Sequence, residues 1–175
     1  MIWRGTIFLC LLLLLFLLPS HTRTNEIEVA FSPHGQSLQL VLSTIKSAKQ
    51  SIRVAAYSFT SKPVAETLKD VHRRGIDVKV VADRKGNSDK YTAVTFLANQ
   101  GIPVRMNGNY AIHHHKFMVI DGQHVQTGSF NYSAAAVDKN AENVIVVRGD
   151  KGLAGQYAKE WERLWDEGVD VKPTY

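Results

Sequence analysis

Cysteine is almost absent from this 175-residue chain: the single one, Cys10, lies inside an apolar run near the start. Outside that run nothing is available to form a disulfide, a thiolate nucleophile or a cysteine metal site. Proline (5) and glycine (12) never gather into a long Pro/Ser/Gly tract, and no segment of the chain repeats another. Neither sign of charge dominates, because 21 basic residues face 16 acidic ones for a formal net charge of +5. With 45% hydrophobic and 21% charged residues, disorder, a collagen-like chain and a disulfide-rich miniprotein are excluded. The length suits one compact domain with enough chain to bury a real core.

The longest hydrophobic run extends from Ile7 to Leu18, after Trp3 and Arg4 and before Pro19, Ser20 and His21. It is shorter than the about 20 apolar residues that span a bilayer. With a basic residue on its N-terminal side it reads as a secretory signal, so residues 1–22 are expected to be the signal and 23–175 the functional domain. No clean small-x-small triplet follows Leu18, which places cleavage only between Pro19 and Glu26 and leaves an uncleaved short anchor as the alternative. Loss of Arg4 with the signal leaves a modest positive excess. That excess suits an anionic partner such as nucleic acid or lipid headgroups, and equally suits plain solubility. Arg73, Arg74, Arg84 and Lys85 are basic residues that fall close together; there is no polybasic tail.

Hydrophobic spacing predicts alternating strands and helices. Ile27 to Phe31 reads as a strand, and Leu38, Val41, Leu42 and Ile45 recur at i, i+3, i+4, i+7 as one face of a helix. Ile52 to Tyr57 is the next strand. Thr60 and Ser61 offer caps, Pro63 suits a first helical turn, and Val64, Leu68 and Val71 share a face until Gly75 stops the helix. Val78 to Ala82 follows as a buried strand, then a helix between Asp89 and Gln100, then a strand at Val104 to Met106. Three more extended stretches follow at Lys116 to Ile120, His124 to Thr127 and Val144 to Val147. The Asp121-Gly122 pair between two of them is a hairpin signal, so part of the sheet is expected to be antiparallel. Leu153, Tyr157, Trp161, Leu164 and Trp165 line one face of a final helix as core candidates. The order indicates an α/β domain: a mixed β-sheet with crossovers, flanked by helices on both faces.

The residues able to carry chemistry concentrate between His113 and Asn143. Side chains alternate on a strand, so His114 and Lys116 are expected on one side and His113 and His115 on the other. A nucleophile or proton carrier beside a fixed cation is what attack on an anionic phosphoryl group needs, because the lysine offsets charge that would repel the attack. Three adjacent histidines are also a candidate metal site, although a strand cannot direct all three to one ion. The Gly128-Ser129-Phe130-Asn131 segment taken alone reads equally as a turn, and Glu142 taken alone as a solvated carboxylate.

At these positions the sequence resembles a known family. His114, Lys116 and Asp121 match the H-x-K-x4-D signature of the phospholipase D superfamily, and Gly128, Ser129 and Asn131 match its G-S-x-N extension. The resemblance runs from about Glu26 to the C-terminal helix and is nearest to the small, plasmid-encoded periplasmic endonucleases of bacteria. It implies the phospholipase D-like fold, phosphodiester chemistry, no metal and no other cofactor. Members usually carry two copies of the signature, whereas this chain has one. The resemblance therefore implies a homodimer whose two-fold axis sets His114 against His114 of its partner.

By the same resemblance, one His114 attacks phosphorus to form a phosphohistidine, and the other protonates the departing oxygen and later activates water. Lys116, Ser129 and Asn131 are implied to hold the phosphate oxygens. Glu142 is the candidate acceptor for the other imidazole N–H. Asp121 belongs to the catalytic signature, but its position at the turn gives it a structural or indirect part. The expected substrate is single- and double-stranded DNA cut without sequence specificity, with RNA a second candidate, and the expected location is the periplasm. No stable membrane partner is expected. Hydrolysis of phospholipid headgroups is the alternative activity, and a metal- or nucleic-acid-binding protein without turnover is the alternative class.

Overall fold

The computed structural model describes residues 26–88 and 92–174. The apolar run and the proposed signal therefore lie outside the described residues. Eight strands form one sheet: β1 (Glu26–Ser32), β2 (Ser51–Ala56), β3 (Asp77–Asp83), β4 (Val104–Asn107), β5 (Lys116–Ile120), β6 (His124–Gly128), β7 (Glu142–Arg148) and β8 (Val169–Asp170). Their spatial order is β1-β7-β6-β5-β2-β3-β4-β8. The β2–β3 and β3–β4 pairs are parallel, and β1–β7, β7–β6, β6–β5, β5–β2 and β4–β8 are antiparallel. This is the mixed single-domain sheet expected from the sequence.

Five helices cover it: α1 (Ser37–Ser47), α2 (Lys62–Arg73), α3 (Ala93–Asn99), α4 (Ala134–Asp138) and α5 (Lys151–Asp166). Side chains on alternate strand positions divide between two cores. Ile52, Val54, Val78, Val80, Met118, Ile120, Val144 and Val146 pack under α1 to α4. Ala55, Val81, Phe117, Val119 and Val125 pack under α5, which contributes Trp161 and Leu164 with Leu153, Tyr157 and Trp165 at the margin. Helices therefore flank both faces. Burying a side chain of Leu or Phe size contributes about 1.5–3 kcal/mol, so the aromatic face of α5 is a principal hold on its side of the sheet.

The helix starts follow from their caps. Ser61 accepts the Val64 amide and Pro63 sits in the first turn of α2, Thr92 accepts the Thr95 amide for α3, and Asp150 accepts the Leu153 amide for α5. Three elements were not legible in the sequence: the 3-10 turn Lys85–Asn87, α4 and β8. The third helix is shorter than the expected span from Asp89 to Gln100, because its cap is Thr92; positions 89–91 lie outside the described residues. The first strand also departs from a simple strand-helix-strand succession. It runs to the far edge of the sheet and pairs with β7 over its whole length, from Glu26 opposite Arg148 to Ser32 opposite Glu142. The three antiparallel strands β5 to β7 fill the gap between β1 and β2.

At Asp121 and Gly122 the hairpin turn joining β5 to β6 has positive φ at both residues, 54° and 61°. That is the mirror-image turn that aspartate-glycine favours.

Candidate active site

Strand direction gathers the chemistry at one end of the sheet. The C-terminal ends of β2, β3 and β6 and the N-terminal starts of β5 and β7 meet there, because β5 and β7 run opposite to their neighbours. His114 and Lys116 enter from β5, Ser129 from the end of β6 and Glu142 from the start of β7. The strand begins only at Lys116, yet the alternation expected across the histidines holds.

His114 is exposed, and its imidazole lies against the ring of Tyr57, centroids 4.6 Å apart. The Lys116 ammonium sits over the same ring at 5.1 Å and donates to the His114 carbonyl at 2.7 Å. Tyr57 thus limits the rotamers of both residues. Burial lowers the Lys116 pKa from its ordinary value, and the Glu142 carboxylate acts against that shift.

Ser129 donates to Glu142 Oε2 at 2.5 Å and accepts the Asn143 amide at 3.1 Å and Asn143 Nδ2 at 3.2 Å. Asn140 donates to the other Glu142 oxygen at 3.0 Å. The bend that delivers Ser129 requires glycine before it. Gly128 has φ +143°, and a Cβ there would fall 2.2 Å from the Asn143 carbonyl oxygen. Asn131 Oδ1 is buried and has no partner among the described residues, an unused acceptor within the G-S-x-N segment. The next residue anchors that segment. Tyr132 is fully buried, donates to Gln126 at 2.8 Å, and its carbonyl takes the amides of Thr60 and Ser61. Loss of solvation pushes its phenol pKa up.

His113 and His115 turn to the α5 side, where His113, His115, Phe117 and Tyr157 form a ladder of edge contacts 5.0–5.6 Å apart. His115 Nε2 meets Glu160 at 3.2 Å. Glu160 is held by Arg163, whose hydrogen bonds keep its carboxyl below the usual range. Between this wall and the end of β6 opens a cavity of about 360 Å³ lined by His114, His115, Lys116, Thr127, Tyr157 and Glu160. Among the described residues no three His, Cys, Asp or Glu side chains gather into a group able to hold a metal ion.

Asp121 and Glu142 both have partners other than the His114 imidazole. Asp121 follows β5 at the end opposite Lys116, about 17 Å away at the strand rise of ~3.4 Å per residue. Its carboxylate accepts the amides of Lys49, Gln50 and Ser51, tying the start of β2 to the hairpin. The structure does not bring it to the catalytic group, and its part in the signature is architectural. Glu142 does reach the site, but its carboxylate is taken by Ser129 and Asn140, and no hydrogen bond joins it to His114 within one chain.

Three residues of the site carried no motif. Asp83, 2% exposed, accepts the His113 amide at 2.6 Å and the Gly86 amide at 2.6 Å. Asn87 donates to the Tyr57 carbonyl at 2.6 Å and accepts the Phe59 amide at 2.9 Å. Together with Tyr57 they fix the backbone on either side of His114. The available signal was weak: polar residues at or just past the ends of two apolar strands, at the end of the sheet that also holds the histidines.

The buried His113 ring has no hydrogen-bond partner at either nitrogen. Burial, with His115 adding to it, pushes its pKa down to about 4 from 6.5. The unfolded chain therefore binds a proton at this residue across pH 6.5 to 4 while the native chain does not. The stability contribution is full above pH 6.5 and falls as pH drops towards 4, by up to about 3 kcal/mol. Thermal unfolding from pH 7 to 4.5 is expected to show a steeper fall in Tm for the wild type than for His113→Phe. Equal falls would assign the acid lability to other groups.

Comparison with known proteins places this geometry. Residues 41–165 match the family model described as "Cardiolipin synthase, PLD-like domain". The structure resembles that of Nuc from Salmonella typhimurium, a phospholipase D family member, with 41% identity and a TM-score of 0.83 over 85% of this chain and 99% of that one. A protein named phospholipase D from Rickettsia bellii is 33% identical over 81% of this chain and 70% of its own length. The human mitochondrial cardiolipin hydrolase is 30% identical over 82% of this chain, which spans 57% of that protein. The chain belongs to the phospholipase D superfamily, a class of hydrolases acting on phosphodiesters.

Proposed function

We propose that this protein is a metal-independent, sequence-nonspecific endonuclease that cuts single- and double-stranded DNA as a homodimer in the periplasm. The observation that carries the reading is the exposed His114 imidazole, braced by Tyr57 beside the Lys116 ammonium and across from Ser129 and Glu142. His114 attacks phosphorus, forming a P–N bond as the P–O bond to the leaving strand breaks, and the partner's His114 gives its proton to that oxygen. Water then attacks phosphorus, gives a proton to the partner imidazole, and the P–N bond breaks to restore His114. Lys116, Ser129 and Asn131 hold the non-bridging oxygens, with the unpaired Asn131 side chain available to turn its amide towards them. Glu142 supports the imidazolium of the assembled site.

The need for a partner is supported by the shape of one sheet face. On the α5 side, Ile27, Val29 and Phe31 of β1 are 60%, 54% and 63% exposed. They stand opposite Val147, Ile145 and Asn143. The result is an apolar stripe that ends at Asn143, the residue bonded to Ser129. A second copy seated on it would close a half-site that holds a single catalytic histidine.

DNA is preferred to phospholipid because the basic excess of the chain suits a polyanion and because the structure resembles Nuc over nearly the whole of that protein. The names phospholipase D and cardiolipin hydrolase among the relatives make headgroup hydrolysis the second reading. The deciding assay presents the purified protein, in excess EDTA, with plasmid, single-stranded DNA and phosphatidylcholine vesicles. Cleavage of both DNAs without headgroup release is the expected result. Headgroup release without DNA cleavage would replace the nuclease by a phospholipase, and cleavage only after added divalent metal would overturn the metal-independent mechanism.

A further inference from the structure

The loop after β3 turns back over the end of the sheet that carries His114, and its residues divide by direction. Asp83 and Asn87 point inward and hold the His113 amide and the Tyr57 carbonyl. Gly86 lies against Tyr57, where a Cβ would come within 3.1 Å of its carbonyl oxygen and 3.2 Å of its ring. Arg84 and Lys85 are exposed. The Arg84 guanidinium rests on Gly108, so close that a Cβ there would meet it at 3.0 Å. The Lys85 ammonium donates to the Ala111 carbonyl at 3.1 Å, three residues before His114.

Arg84 differs from the other described arginines in what holds its side chain. Arg53, Arg105, Arg148 and Arg163 each pair with a carboxylate. Arg73 and Arg74 donate to Gln100 and to the Lys46 carbonyl. Among the described residues Arg84 is the one arginine whose side chain makes neither a hydrogen bond nor an ion pair, and Lys85 has no carboxylate partner. A guanidinium without a partner, laid on a flat backbone bed, keeps its donor fork free for a phosphate. The inward residues of the same loop hold it in register with the nucleophile.

We propose that Arg84 and Lys85 form a phosphate subsite that takes a backbone phosphate neighbouring the one His114 attacks. The inference rests on the nucleic-acid reading and adds a basis for preferring a polymer. A nucleic-acid strand presents further phosphates beside the reacting one, whereas an isolated diester presents none. The subsite therefore contributes to binding of the strand and not to recognition of a lone phosphodiester.

The test is the Arg84→Gln/Lys85→Gln double variant, compared with wild type on plasmid DNA across a salt series and on bis(4-nitrophenyl) phosphate. Loss of one phosphate contact from each of the dimer's two subunits is expected to raise KM for DNA by about tenfold at low salt and to flatten its log–log salt dependence by about 1.8. The ratio of kcat/KM on DNA to that on the small diester falls by the same factor. Arg84→Lys should recover the salt dependence but only part of the KM, since the charge returns without the fork. Lys46→Gln/Lys49→Gln removes the same charge at the opposite end of the molecule and is expected to leave the salt dependence at its wild-type value. DNA cleavage with unchanged KM and salt dependence in the double variant would overturn the subsite alone. A wild type that releases headgroups and leaves DNA intact would overturn the nuclease reading and the subsite with it.

Discussion

His114→Ala is expected to lower DNA turnover by at least about 10⁴-fold while leaving DNA affinity within a few-fold of wild type. The imidazole is exposed and makes ring contact with Tyr57, so its removal leaves no buried cavity and no orphaned hydrogen-bond partner. The loss falls on the chemical step, because among the described residues at this end of the sheet the other candidate nucleophiles are engaged, His115 with Glu160 at 3.2 Å. Ser129 donates its hydroxyl to Glu142 and Lys116 donates to a carbonyl. Single-turnover cleavage in EDTA, with anisotropy binding of a labelled oligonucleotide, separates the two effects. A variant retaining a tenth of wild-type turnover would remove His114 from the nucleophile's role. One that loses binding in parallel with turnover would make it a binding residue instead.

Phe31→Glu is expected to convert the proposed dimer to monomers and to abolish the proposed cleavage with it. Phe31 is 63% exposed at the catalytic end of the apolar stripe, so the carboxylate is tolerated in the free subunit. Placed in an apolar interface, it would cost about 3 kcal/mol or more, a hundredfold in the dimer dissociation constant. Light scattering after size exclusion reads the assembly, and activity measured against protein concentration reads the coupling. Cleavage should return as concentration drives subunits together. A wild type that is monomeric and fully active, or a Phe31→Glu protein that is dimeric and fully active, would end the shared-site mechanism.

Asp121 and Tyr57 show how far local sequence reaches. The H-x-K-x4-D signature groups Asp121 with His114 and Lys116, but extended backbone carries five residues to the other end of a strand, where the carboxylate accepts the amides of Lys49, Gln50 and Ser51 at the entry to β2. Tyr57 is distant from His114 in sequence and belongs to no motif. Its ring meets the imidazole because β2 and β5 are neighbours with Ala56 opposite Lys116. The brace of Asp83 and Asn87 arises in the same way, from strand ends that converge only once the sheet is ordered.

The sequence by itself determined the class of fold, the cover of helices on both faces of the sheet, the cap of α2 and the placing of His114 and Lys116 on one side of their strand. Hydrophobic period, capping chemistry and short-range side-chain alternation are local properties, readable wherever the residues lie. Only the tertiary structure decided that β1 crosses to the far edge of the sheet and that Glu142 serves Ser129 within one chain. It also decided that an apolar stripe and two unneutralised cations flank His114. Those arrangements depend on strand order and register, which are set by the packing of segments far apart in the chain and leave no periodic trace in any one of them.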